Sequence, residues 1–150
     1  MSESIKKPQS ELLFEEYRKA RNVDITLSQF IYIMNLYPSL LVCMSDGVLD
    51  KEEWDGVLNI AKGLAMAYAE ASEQEKMERV FRTEFKYLLD NIEKWQKKFL
   101  NALKNHIEGS KEDKEFVLEA MYLFANIADG ISSEEQEKIE ALSERLSLAY

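Results

Sequence analysis

An all-α fold is expected, a compact bundle of about seven helices with an internal pseudo-symmetric repeat. Three observations predict it. Leu, Ala, Glu and Lys, all strong helix formers, dominate the 150 residues. Five glycines and two prolines are too few for the many tight turns of a sheet protein. Apolar residues recur at three- and four-residue steps through the second half, the spacing of one helix face. A chain of this length buries roughly two-thirds of its unfolded surface in one domain. Residues 1–150 therefore read as a single domain, with residues 1–9 as a flexible tail.

Caps divide the chain. Ser10 can start a first helix, "ELLFEEYRKARN", and a second follows through "LSQFIYIMNLYPSLLVCM". Ile25–Ser45 carries no charge for 21 residues, which raises the question of a membrane span. Gln29, Asn35 and Pro38 interrupt it, and Asp24 and Asp46 flank it where lysine or arginine would anchor a span. It reads as the buried central helix of a soluble domain, kinked or split at Pro38. Asp50 with Glu53 forms a capping box for a third helix. Ser72 with Glu75, Asp90 with Glu93, and Ser110 with Asp113 mark later starts, and Gly109 ends the helix before Ser110. Ser132 with Glu135 opens the last.

Apolar stripes identify the core faces. Ile92, Trp95, Phe99, Leu103 and Ile107 form one; Phe116, Val117, Ala120, Leu123, Phe124 and Ile127 form the next; Ile139, Leu142 and Leu146 finish the chain. Cys43, the only cysteine, sits in "LLVCM" and reads as a buried small hydrophobe. It excludes a disulfide framework and a multi-cysteine zinc site. His106 stands alone, and no Glu precedes it at position 103, so the Glu-x-x-His element of di-iron bundles is missing. There is no activated nucleophile, partnered base or Gly-rich phosphate loop, so no enzyme is expected. The start "MSESIKKPQS" has no apolar core and is not a signal peptide, which points to the cytoplasm.

Net charge is −9. Residues 46–56 hold five acids and one base, as do residues 129–140, so these two segments carry −8 of it. Such surfaces repel nucleic-acid phosphates and attract cations or basic protein faces. Both segments belong to one repeated unit. Leu40-Leu41-Val42-Cys43-Met44-Ser45 aligns with Leu123-Phe124-Ala125-Asn126-Ile127-Ala128. After an Asp-Gly break, Leu49 aligns with Ile131, Asp50 with Ser132, Glu52-Glu53 with Glu134-Glu135, Val57 with Ile139, Ile60 with Leu142 and Leu64 with Leu146.

Helix punctuation explains much of the unit. Gly47 and Gly130 can take the left-handed conformation that ends a helix. Leu49 or Ile131 then tucks into the core, and Asp50 or Ser132 caps the restart. Punctuation does not explain Asp46 and Asp129, carboxylates at helix C-termini where the dipole is unfavourable. Like charges about 5 Å apart repel by roughly 1–3 kcal/mol at effective dielectrics between protein surface and water. A hard divalent cation of the Ca²⁺ or Mg²⁺ class would reverse that sign. An EF-hand is excluded, since its first and third loop positions would be Val42 and Met44. Any site would be open, hydrated and weak.

The two motif copies and the terminal "IEALSERLSL" resemble the TerB-like tellurite-resistance family over roughly Ile25 to Leu148. The resemblance implies a seven-helix bundle and acidic surfaces that hold divalent metal. It places candidate ligands at Asp46 and Glu53 in the first copy and at Asp129 and Glu135 in the second. Asp50, Glu52 and Glu134 are auxiliaries, and Ser132 in place of an aspartate makes the second copy the weaker. The expected function is a non-enzymatic stress-response module that binds divalent cations at the two junctions. The alternative is an acidic protein-interaction domain that meets a basic partner without metal. Lys94, Lys97, Lys98 and Lys104 in "EKWQKKFLNALK" supply one such basic face within the chain itself.

Overall fold

A computed structural model describes residues 7–45, 49–66, 71–127 and 130–148, with backbone alone for 64–66 and 71–75. Seven helices and no strands occur among the described residues: α1 (Gln9–Arg21), α2 (Leu27–Cys43), α3 (Lys51–Met66), α4 (Ala71–Asp90), α5 (Ile92–Ile107), α6 (Lys111–Ala125) and α7 (Ser133–Arg145). Hydrophobic α2 is the axis, with twelve of its 17 residues buried. It packs most extensively on α6 and is also met by α1, α3, α4, α5 and α7. No helix among the described residues is long and apolar enough to cross a membrane.

Pro38 neither splits α2 nor ends it. A proline inside a helix costs about 3 kcal/mol through the lost hydrogen bond and ring clash. Burial of the flanking Met34, Leu36, Tyr37, Leu40, Leu41 and Val42 outweighs that. Asn35 Oδ1, Tyr37 O–H and Ser39 Oγ are buried with no hydrogen-bond partner among the described residues.

Several starts differ from the sequence reading. Helix α1 begins at Gln9 with Pro8 as its N-cap, so Ser10 lies inside the first turn and is buried. Backbone of α4 is already helical at Ala71, ahead of Ser72. Asp90 ends α4, and the α5 N-cap is Asn91, whose amide donates to the Tyr87 carbonyl at 2.8 Å. Ser110 caps α6 as expected, accepting from the Asp113 N–H, and Gly109 takes φ +81° between the helices.

The core joins five aromatic rings. Phe99 sits 4.7 Å from Tyr37, 5.5 Å from Phe30, 5.6 Å from Tyr17 and 6.1 Å from Trp95, centroid to centroid. Beside them lies a partly buried ion pair. Glu84 of α4 accepts two hydrogen bonds from the Arg21 guanidinium, at 2.9 and 3.0 Å, and one from the Tyr17 hydroxyl at 2.6 Å. Burial, reinforced by Glu84, pushes the Tyr17 phenol well above its ordinary range, so it stays a donor. Arg21 also lies 4.0 Å over the Tyr87 ring, and Tyr87 accepts a 2.8 Å bond from the Trp95 indole.

Packing follows the internal repeat. Helices α2 and α6 face each other; α2 also meets α7, as α6 meets α3. The fit is closest where Gly56 of α3 meets Ile127 after α6: a Cβ on Gly56 would lie 2.4 Å from Ile127 Cγ2. Gly56→Ala is therefore expected to destabilise by about 1–2 kcal/mol despite the better helix propensity of alanine. Adding Ile127→Ala should remove that clash, so thermal melts of the two singles and the double should show a favourable coupling.

Candidate functional site

The two acidic restarts are built by their own caps. Asp50 Oδ1 accepts from the Glu53 N–H at 2.8 Å, while Glu53 Oε1 lies 3.4 Å from the Asp50 N–H. The second copy makes the tighter box: Ser132 Oγ accepts from the Glu135 N–H at 3.1 Å, and Glu135 Oε1 accepts from the Ser132 N–H at 2.9 Å. Glu135 is buried in doing so. Gly130 has φ +96°, the left-handed turn expected of it. The candidate ligands Asp46 and Asp129, together with Gly47, lie outside the described residues.

Asp50, Glu53 and Glu135 thus have a structural use. Among the described residues no three or more His, Cys, Asp or Glu side chains converge as a metal-holding group. Capping hydrogen bonds engage one carboxylate oxygen each of Asp50, Glu53 and Glu135. Ser132→Ala and Asp50→Ala are each expected to cost about 1 kcal/mol. Glu53→Gln and Glu135→Gln should change stability by less than about 0.5 kcal/mol, since glutamine also closes a capping box. Urea titrations of the four variants measure this directly.

The apolar plugs differ between copies. Leu49 is half-buried against the core, but Ile131 is 39% exposed. Leu123, expected in the α6 core stripe, is 48% exposed, and its neighbour Tyr122 is 38% exposed. Positions on α2 that match Tyr122 and Leu123 are Ser39 and Leu40, both wholly buried. Helices α1 and α4 pack on α2, whereas neither makes an extensive contact with α6.

Both acidic segments flank one helix end. Met44, the α2 C-cap, lines a groove of about 430 Å³ with Leu49, Asp50, Trp54, Lys86 and Asp90. On its other side Met44 and Ser45 line a groove of about 480 Å³ with Glu134, Glu137 and Lys138 of α7. The residue that matches Gly56 in the second copy is Lys138. One copy is therefore closed tightly on its neighbour, and the other leaves an open, charged channel. Glu52, Asp55, Glu134 and Glu137 are exposed and make no ion pair with any described residue. The chain's paired lysines and arginines answer acids elsewhere, among them Lys7 with Glu15, Lys98 with Glu16 and Lys62 with Glu78.

The basic face on α5 is present as expected. Lys94, Lys97, Lys98 and Lys104 are exposed, and the amines of Lys94 and Lys98 lie 5.4 Å over the Trp95 ring. Cys43 is buried, its thiol 3.6 Å from the Phe124 carbonyl. Sequence reasoning missed the Tyr17–Arg21–Glu84 cluster and the exposed Tyr122–Leu123–Ile131 surface.

No family model, no curated protein and no solved structure matches the chain.

Proposed function

We propose that the chain is a cytoplasmic, non-enzymatic binding module of the TerB-like, tellurite-resistance-related stress-response kind, whose acidic junctions receive a basic surface of a partner protein. One observation carries this reading. Asp50 of the first acidic helix start and Glu134 and Glu137 of the second line grooves that share the Met44 helix end, and the exposed Glu52, Asp55, Glu134 and Glu137 make no ion pair with any described residue. Asp50, Glu53 and Glu135 are used as caps, so the exposed Glu52, Asp55, Glu134 and Glu137 remain to meet a partner. A surface of this sign attracts cationic side chains and speeds their encounter, with strong sensitivity to salt.

The same uncompensated charge favours a second reading, divalent-cation binding of the Ca²⁺ or Mg²⁺ class. It would centre on Asp46 and Asp129, with Glu52 and Glu134 assisting through water and the capped Asp50, Glu53 and Glu135 sharing an oxygen. Amide NMR with calorimetry separates the two. A lysine-rich peptide is expected to shift residues 49–55 and 130–137, more weakly in the Glu52→Gln/Glu134→Gln variant and at raised salt. Saturable shifts from millimolar Ca²⁺, Mg²⁺ or Mn²⁺ that vanish in Asp46→Asn/Asp129→Asn would instead favour the ion. Silence toward both peptide and ions would remove both readings.

A further inference from the structure

The internal repeat leaves one helix face uncovered. On α2, Leu36, Ser39, Leu40 and Cys43 lie wholly buried within the bundle. The aligned α6 positions are Glu119, Tyr122, Leu123 and Asn126, and all four are exposed. With Ile131 they line an open groove of about 500 Å³. Tyr122, Leu123 and Ile131 are three of only four large apolar side chains exposed among the described residues. Scattered exposed apolar groups are ordinary, but three gathered in one groove mark a contact surface.

We infer that this groove seats an amphipathic helix of a partner protein, with apolar side chains against Tyr122, Leu123 and Ile131 and lysines or arginines beside them. The inference deepens the reading of the acidic junctions, on which it rests, by giving the partner a shape and an anchor. Two features choose this occupant. Helices α2, α3, α5 and α7 pack on α6 and leave this face open, in a bundle where every described element that covers a helix is itself a helix. Charge selects a basic one: exposed Glu112 and Glu119 stand on α6, and Glu134 on the adjoining first turn of α7. The same patch of a second copy is the poorer match, because it presents Glu119 against Glu119 on chains that each carry net charge −9. Helix-in-groove recognition of this kind reads anchors at three- and four-residue spacing.

The test uses the full chain and a synthetic peptide of leucines and lysines patterned as an amphipathic helix, with a scrambled peptide of identical composition. Binding is followed by calorimetry and by amide NMR. The patterned peptide is expected to shift Glu119–Asn126 and Gly130–Ile131, and to bind about tenfold more tightly than the scrambled one. Leu123→Ser/Ile131→Ser, on exposed positions that the core does not need, should erase that advantage. Tyr122→Phe, which keeps the ring, should retain it. Equal binding by the two peptides, mapped to the acidic junctions, would overturn this inference while leaving the junction reading intact. Absence of any binding would end both. Sedimentation that reveals a dimer broken by Leu123→Ser would assign the groove to a second copy and also overturn the inference.

Discussion

Replacing Arg21 by methionine is expected to destabilise the fold by about 3 kcal/mol, the lower end of what an orphaned buried charge costs, because the arginine is partly exposed. Glu84 is 2% exposed and would keep only the Tyr17 hydroxyl as a hydrogen-bond partner among the described residues. Losing the guanidinium also strips its stacking on Tyr87. Glu84→Leu alone strands the partly buried Arg21 cation and the Tyr17 hydroxyl, and should cost a comparable amount. The double variant Arg21→Met/Glu84→Leu should recover most of the loss, since two apolar side chains have no charge to desolvate. Urea unfolding of the four proteins gives the coupling. A single Arg21→Met variant within about 0.5 kcal/mol of wild type, the range of an ordinary surface change, would show that the pair contributes little.

Phe99→Ala is expected to cost about 3–5 kcal/mol, the usual range for emptying a buried phenylalanine site. Its ring meets four other aromatic rings on α1, α2 and α5, so the lost contacts loosen three helices together. For a domain of this size the melting temperature should fall by about 10 °C. Phe99→Leu should cost far less, since most of the volume is kept. Circular dichroism melts measure both. A small shift for the alanine variant would mean that the surrounding rings collapse into the space.

The helix pattern was legible because it depends on local chemistry. Stripes such as Trp95–Phe99–Leu103–Ile107 are buried as their spacing requires, and the boxes at Asp50–Glu53 and Ser132–Glu135 close within three residues. Failures occurred where a distant element decides. Nothing near Leu123 distinguishes it from Leu40, yet one is 48% exposed and the other wholly buried, because which face a neighbouring helix covers has no local signature. Glu84 and Arg21 are 63 residues apart, so their pairing has no local signature. Asp90 lost the α5 cap to its neighbour Asn91 because α4 extended one residue further than capping preference suggested. Asp50, Glu53 and Glu135 carried two readings in the sequence, helix caps by their spacing and metal ligands by the family resemblance, and the structure shows the caps.

Two tryptophans occupy contrasting places in this arrangement. Trp95 is wholly enclosed and hydrogen-bonded to Tyr87, whereas Trp54 is half-buried in the groove beside Asp50. Intrinsic emission should therefore have a blue component that follows global unfolding and a redder one that follows occupancy of the first junction. Quenching by iodide should reach only the second, and Trp54→Phe should remove it without dimming the first. Trp54 is thereby placed to report optically on any binding test at that loop.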